Sequence, residues 1–153
     1  MRKSWLMGAL MALALGFGMA QPANLKACFI YVGPIGDVGW TFAHDEARRA
    51  AEKAIPGLTT QYVESVKPAD TLATVDRLVA GGCNVIFTTS FDFMDPTLEA
   101  AKKYPEVIFA HASGFKRAPN MLTYMADFYQ IYYLNGLMAG ALTKSGKVGY
   151  VAA

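Results

Sequence analysis

The sequence predicts an α/β fold, a doubly wound and mainly parallel sheet. Three observations predict the α/β sheet itself. Short apolar runs alternate with stretches of helical periodicity along the chain. The runs at 83–88 and 107–110 are almost wholly apolar, as strands buried on both faces must be. Glycine and proline punctuate the junctions, at Gly33-Pro34, Pro56-Gly57 and Gly81-Gly82.

The first segment reads as an address. Arg2 and Lys3 precede an uncharged apolar run over 5–19, and Gly18-Met19-Ala20 offers small residues around a cleavage point before Gln21. That is the order of a secretory signal peptide over residues 1–20, and it places the mature chain in the periplasm or outside the cell. The apolar run is short for a membrane span, which takes about 20 residues. Removal of this segment takes away Arg2 and Lys3 and no acid, so 12 basic side chains then face 12 acidic ones. A near-neutral chain with no basic stripe does not suit nucleic acid or an anionic membrane surface.

The elements follow in order. Residues 26–32 form the first strand. A helix spans about 38–55, with Phe42, Ala43, Ala47, Ala50, Ala51 and Ala54 as its inward stripe and Asp45 paired with Arg49 on the exposed face. The run 58–63 is partly polar and suits a sheet edge. A helix over about 69–80 turns Leu72, Val75 and Val79 inward and stops at Gly81-Gly82. The strand 83–88 leads to a third helix, for which Asp95-Pro96 supplies an N-cap and a first-turn proline. A fourth strand at 107–110, a polar loop over 111–120, a fifth strand at 121–125 and an aromatic helix over 127–143 complete the lobe. Tyr124, Phe128, Tyr129, Tyr132 and Tyr133 are expected in core or interlobe packing. The run 147–151 has strand character.

Two cysteines are too few for a disulfide scaffold. Cys28 lies eight residues beyond Ala20 and inside the first strand, so it is not placed to accept a lipid. Cys28 and Cys83 sit at the starts of adjacent strands, where an oxidised pair is conceivable; two reduced, buried thiols are the expected state.

Carboxyl ends of parallel strands collect on one rim, so candidate ligand contacts are the residues after each strand. These are Asp37, Gly39 and Trp40 after the first, Ser90, Phe91 and Asp92 after the third, and His111 after the fourth. Aromatic faces with a few hydrogen-bonding groups suit a flat, polar, neutral ligand such as a nucleobase. Each has a plainer reading as well. Asp37 fits an N-cap as well as a ligand contact, Trp40 a core anchor, and His111 a hydrogen-bonded loop residue. Phe91 and Phe93, if extended, share one face with Asp92 on the other. Phosphate-loop, nucleophile-elbow and zinc-helix patterns are absent, and the histidines and cysteines show no metal-ligand spacing. Glu64 stands where a ribose-binding acid would sit in a dinucleotide fold, yet Gly33-x-x-Gly36-x-x-Gly39 lacks the close-approach glycines of that motif. No cofactor is expected.

The Gly36-Asp-x-x-Trp40 loop running into 41–49, the segment from Ala100 through Lys103-Tyr-Pro-Glu106, Tyr133-Leu-Asn-Gly-Leu-Met-Ala-Gly140 and the closing 143–152 together resemble the N-terminal part of a BMP-type, PnrA-like substrate-binding protein of ABC transporters. The resemblance implies a type I periplasmic-binding fold, two α/β lobes hinged around one ligand, and a purine nucleoside or related base as that ligand. It implies that Asp37 bonds the ligand, that Trp40 stacks on or walls the base, and that 90–95 adds contacts. It implies an ABC permease as partner and no enzymatic step. Where nucleoside binders commonly read Asp-x-Ser-Phe-Asn, this chain has Asp37-Val38-Gly39-Trp40-Thr41, which leaves a bare base or another heterocycle open. By the same resemblance residues 21–145 form the N-terminal lobe, and 146–153 open a second lobe whose remainder is expected to be missing. The other classes consistent with the residues are an exported nucleoside-processing enzyme using Asp37 or His111, and a sensory ectodomain.

Overall fold

A computed structural model describes residues 25–151; the expected signal peptide lies outside them. The strands are β1 (Leu25–Ile30), β2 (Leu58–Val63), β3 (Val85–Thr88), β4 (Ile108–Ala112) and β5 (Met121–Tyr124), and the helices are α1 (Trp40–Ala54), α2 (Thr71–Ala80), α3 (Met94–Lys103) and α4 (Phe128–Leu142). The strands form one sheet in the order β2-β1-β3-β4-β5, every neighbouring pair parallel. The sheet confirms the doubly wound α/β reading, and β2, the partly polar strand, lies at an edge.

Side chains alternate across the strands and sort into two layers. On one face Cys28, Ile30, Ile86, Phe109 and Met121 pack with Val75, Leu78, Phe93, Ala100 and Ala101 of the α2 and α3 side. The crossing from β4 to β5 runs along this same side. Its Asn120 donates Nδ2 hydrogen bonds to the carbonyls of Ala101, Tyr104 and Val107, at 3.0, 3.0 and 2.8 Å. On the other face Ala27, Phe29, Tyr31 and Leu58 pack with Ala51, Val85 and Phe87. Among the described residues α1 is the helix that covers that face, and it sits over β1 and β2. By alternation Ile108 and Leu122 point to the same side farther along the sheet, where they are 51% and 50% exposed.

Helix α1 presents a different stripe from the one its alanines suggest. Thr41, Asp45 and Arg48 are its buried residues, and Ala43, Ala47, Ala50 and Ala54 face out. The cause is a buried polar network. Arg48 donates from Nε to Asp45 Oδ1 at 2.8 Å and from Nη1 to Thr60 Oγ1 at 2.7 Å, and its guanidinium lies 5.0 Å from the Tyr62 ring centroid. Arg49 meets the other Asp45 oxygen at 2.8 Å, so the expected pair forms, with its acid buried rather than exposed. Burial pushes Asp45 up, but the two guanidinium groups outweigh it and hold the carboxyl below its ordinary value.

Further expectations are corrected. Cys28 and Cys83 are buried as expected but joined in a disulfide, not reduced. Adjacent parallel pairing of β1 and β3 brings their Cα atoms to 5.9 Å, within reach of a bridge. Residues 91–93 form a 3-10 turn rather than an extended segment, so Phe93 is fully buried while Phe91 is 52% exposed. Helix α3 starts at Met94, which puts Asp95 inside its first turn, paired with Lys116, instead of at the cap. Residues 147–151 are not a strand. Helix α4 has no buried residue: Tyr129, Ile131, Tyr133, Leu134, Leu137 and Met138 are all exposed, so its aromatics do not fill this core.

The disulfide closes a sequence separation of 55 residues, for which chain-entropy arguments give about 4 kcal/mol of stabilisation. Urea unfolding with and without dithiothreitol is expected to show a clearly lower midpoint in reductant. Identical midpoints, with thiol titration showing two free cysteines, would contradict the bridge.

Candidate functional site

All five strands run the same way, so their carboxyl ends share one rim. The chain leaves β1 outward to β2 and then returns to β3 on the other side of β1. That reversal is a topological switch point, and in open α/β sheets ligands sit beside the strand ends at such a point.

The loop after β1 is built around Asp37. Its Oδ1 accepts from the backbone N–H of Gly39 at 2.8 Å and Phe42 at 3.0 Å, and Oδ2 accepts from Thr41 N–H at 3.0 Å. Asp37 thus caps α1 from upstream, on donors that a helix start leaves unpaired. Those hydrogen bonds, led by that from Gly39, hold its carboxyl below the ordinary value. Glu64 braces the same loop, accepting from Ile35 N–H at 2.9 Å; this is its role here, in place of a ribose contact.

Trp40 ties the two loops together. Its indole Nε1 donates to the Thr89 carbonyl at 2.6 Å, and its ring lies 4.6 Å from His44 and 6.0 Å from Phe128. His44, which carries no sequence signal, is held by an Nδ1 contact to the Trp40 carbonyl at 2.8 Å and reaches the Tyr124 ring at 6.4 Å. Burial pushes the Tyr124 phenol up to about 12. Gly39 is the N-cap of α1, and Ser90 opens the turn that carries Phe91 and Asp92 outward.

His111 lies at the end of β4, fully buried. Its Nδ1 is 2.8 Å from Thr88 Oγ1, which is 3.0 Å from Thr97 Oγ1. The segment after it folds back: Phe115 N–H points to Met94 Sδ at 3.4 Å, and the Phe115 ring lies 6.4 Å from Phe91.

Among the described residues, two buried side-chain polar atoms have no hydrogen-bond partner, Thr41 Oγ1 and His111 Nε2. Both belong to the rim, and both lie under a glycine. A Cβ on Gly33 would stand 3.3 Å from Thr41 Oγ1, and one on Gly114 only 2.5 Å from His111 Nε2. Buried polar groups are nearly always satisfied, so the two atoms single out this part of the rim.

The structure therefore draws Asp37, Gly39 and Trp40 to Thr89 on one side of the rim, and Phe91, Phe115 and His111 together on the other. Ser90 and Asp92 lie between, on the turn. Thr41 is the rim residue that the sequence did not single out as a contact; its hydroxyl has no marking pattern in a helix N-terminus. The arrangement offers stacking faces and single hydrogen bonds. Candidate metal-holding groups of three or more His, Cys, Asp or Glu are absent among the described residues.

Two outcomes follow. Asp37→Ala is expected to lower the urea midpoint of the lobe through loss of the cap; a change within error would remove the cap assignment. Burial holds His111 below the ordinary histidine value of 6.5. The unfolded chain therefore takes up the proton first, and the stability due to neutral His111 is complete above pH 6.5 and is lost as pH falls through the folded value. Thermal midpoints between pH 7.5 and 5 should drop more steeply for the wild type than for His111→Gln.

Residues 24–153 match the family of PnrA-like ABC transporter substrate-binding proteins, Bmp. The chain is 43% identical over 139 residues to the purine-binding protein of Brucella abortus strain 2308, covering 90% of this chain and 40% of that protein. It is 38% identical over 138 residues to the putative ABC transporter glucose-binding protein of Haloferax volcanii, covering 90% and 35%. The fold superposes on an ABC transporter solute-binding protein of Conexibacter woesei with a TM-score of 0.65 at 23% identity, covering 78% of this chain and 41% of that one. The chain thus spans well under half the length of these curated relatives. It belongs to the Bmp family of PnrA-like ABC transporter substrate-binding proteins.

Proposed function

We propose that this chain is one lobe of an exported solute-binding protein, that its strand-end rim takes a purine-like base or nucleoside, and that an ABC permease in the membrane receives the ligand. The observation that carries the reading is the rim: two unpartnered buried polar atoms beside the faces of Trp40, Phe91 and Phe115, at the point where the strand order reverses. The purine name of the Brucella abortus relative supports the ligand class. Asp37 contributes a carboxylate at the loop edge, Trp40 a wall, and Ser90 and Asp92 polar edges.

Three surfaces support a second lobe. Among the described residues, the outward alanine face of α1, the half-exposed Ile108 and Leu122, and α4 beyond its Phe128 contact to Trp40 are exposed apolar surfaces. A helix that is apolar all round belongs inside a protein, and a parallel sheet is covered on both faces. In this reading α4 and the residues after it belong to the second lobe, so the boundary falls near Asp127, before the aromatic helix, rather than at residue 145. Export is supported by the Cys28–Cys83 disulfide, a bond that persists in oxidising compartments, together with the leader pattern of residues 1–20. Among the described residues no helix is long and apolar enough to cross a membrane.

The Haloferax volcanii relative, named for glucose, provides the competing reading, since sugars also stack on aromatic rings. Adenine, adenosine and glucose titrated into 15N-labelled protein separate the two. A single open lobe buries only part of a ligand, so a purine Kd on the order of 1 mM is expected, with shifts at the Trp40 indole N–H and the Gly114 amide. Shifts there with glucose and none with either purine would replace the purine reading with the sugar one.

A further inference from the structure

An indole that walls a ligand must keep its angle, and Trp40 is only half-buried, so burial alone does not fix it. One edge is anchored, where Nε1 donates to the Thr89 carbonyl at 2.6 Å. Thr89 is itself fully buried, and its N–H and its hydroxyl both donate to the Ile30 carbonyl, at 3.1 and 3.0 Å. The anchor is therefore part of the sheet. A single hydrogen bond at one edge still lets the ring swing about that edge.

His44 is placed to stop the swing. It stands one turn beyond Trp40 in α1, at the i, i+4 spacing that puts two side chains on one helix face. The two ring centroids are 4.6 Å apart, with the planes at 55°. His44 Nδ1 lies 2.8 Å from the Trp40 carbonyl, and a carbonyl only accepts, so Nδ1 carries a proton and donates it there. That bond sets the plane of the imidazole. Behind the imidazole come Tyr124 at 6.4 Å, Phe87 edge-on to Tyr124 at 6.3 Å, and Phe29 stacked on Phe87 at 4.6 Å. Rings of β5, β3 and β1 thus back it in turn. The other ring beside the indole, Phe128 at 6.0 Å, belongs to α4, a helix with no buried residue.

We propose that His44 is the positioning residue for Trp40: tied to its own helix and backed by Tyr124, the imidazole holds the indole at one angle, and that angle sets the affinity of the rim for flat aromatic ligands. The inference rests on the base-binding reading of the rim and deepens it, since a ring already held loses little freedom when a base stacks on it. His44 acts through Trp40 and not by touching the ligand.

The test uses the full chain carrying Trp5→Phe, which leaves Trp40 as the sole tryptophan, with 15N-labelled indole and adenine as probe. In His44→Ala the Trp40 indole N–H should exchange with water about fivefold faster, and adenine should bind more weakly by about the same factor. His44→Asn keeps a donor for the Trp40 carbonyl but no ring, and should behave like His44→Ala. His44→Phe keeps a ring against Tyr124 and should bring both values back to within about twofold of the parent. A merely structural role would speed the backbone amides of β1 and β3 as well; faster exchange confined to the indole marks positioning. Indole exchange and adenine affinity both unchanged in His44→Ala would overturn the proposal and leave the base-binding reading standing. Equal losses in His44→Ala and His44→Phe would overturn it too. If adenine perturbs no resonance of the parent at any concentration, the base-binding reading fails and the role of His44 in affinity with it.

Discussion

A parallel sheet tolerates water on neither face, and that constraint organises this lobe. One face is closed by α2, α3 and the β4–β5 crossing, with the disulfide and the three Asn120 hydrogen bonds pinning the layer. Among the described residues the other face is covered by α1 over β1 and β2, leaving Ile108 and Leu122 half in water. Parallelism also sends every strand's carboxyl end to the same side. The rim and the unfinished face are two consequences of one arrangement.

The way α1 docks follows from a choice between two faces of the same helix. Its alanine side would allow close approach to the sheet, yet the side carrying Thr41, Asp45 and Arg48 is buried. Burying a charged pair gains little over an apolar contact, and breaking one by removing a partner costs about 3–5 kcal/mol. Here Asp45 meets two arginines, while Arg48 also reaches Thr60 and stacks on Tyr62. The set fixes the rotation of α1, and that rotation aims Trp40 at the Thr89 carbonyl. A buried ionic cluster one turn along α1 therefore orients Trp40.

Much of this was legible in the residues. Apolar runs located all five strands of the sheet, and the polar character of 58–63 put β2 at an edge. Asp37 was readable as a cap because its distance from the helix start is what a carboxylate needs to reach the unpaired N–H groups. What failed depended on contacts between distant segments. The inward stripe of α1 was misread because periodicity weighs hydrophobicity and cannot see that Arg48 finds Thr60 and Tyr62 on the neighbouring strand. The two cysteines lie 55 residues apart, and only the register of β1 on β3 brings them together. Phe91 and Phe93 separated because the segment coils into a turn. The strand pattern at 147–151 had no sheet beside it to join.

The orphaned atoms were the least legible feature, since nothing in a sequence distinguishes a satisfied hydroxyl from an unsatisfied one. A buried polar group left unpaired costs about 1–3 kcal/mol, so in the proposed reading Thr41 Oγ1 and His111 Nε2 are groups for a ligand to satisfy. That cost acts in the direction of binding. A ligand that supplies the missing partners gains the difference, and it gains it only in the state where those partners are in reach, the condition for a ligand to shift a conformational equilibrium. Trp40, already fixed by Thr89 and flanked by His44 and Phe128, adds a stacking face that loses little freedom on contact. In the proposed reading the unpaired groups and the fixed ring therefore stand on the same rim.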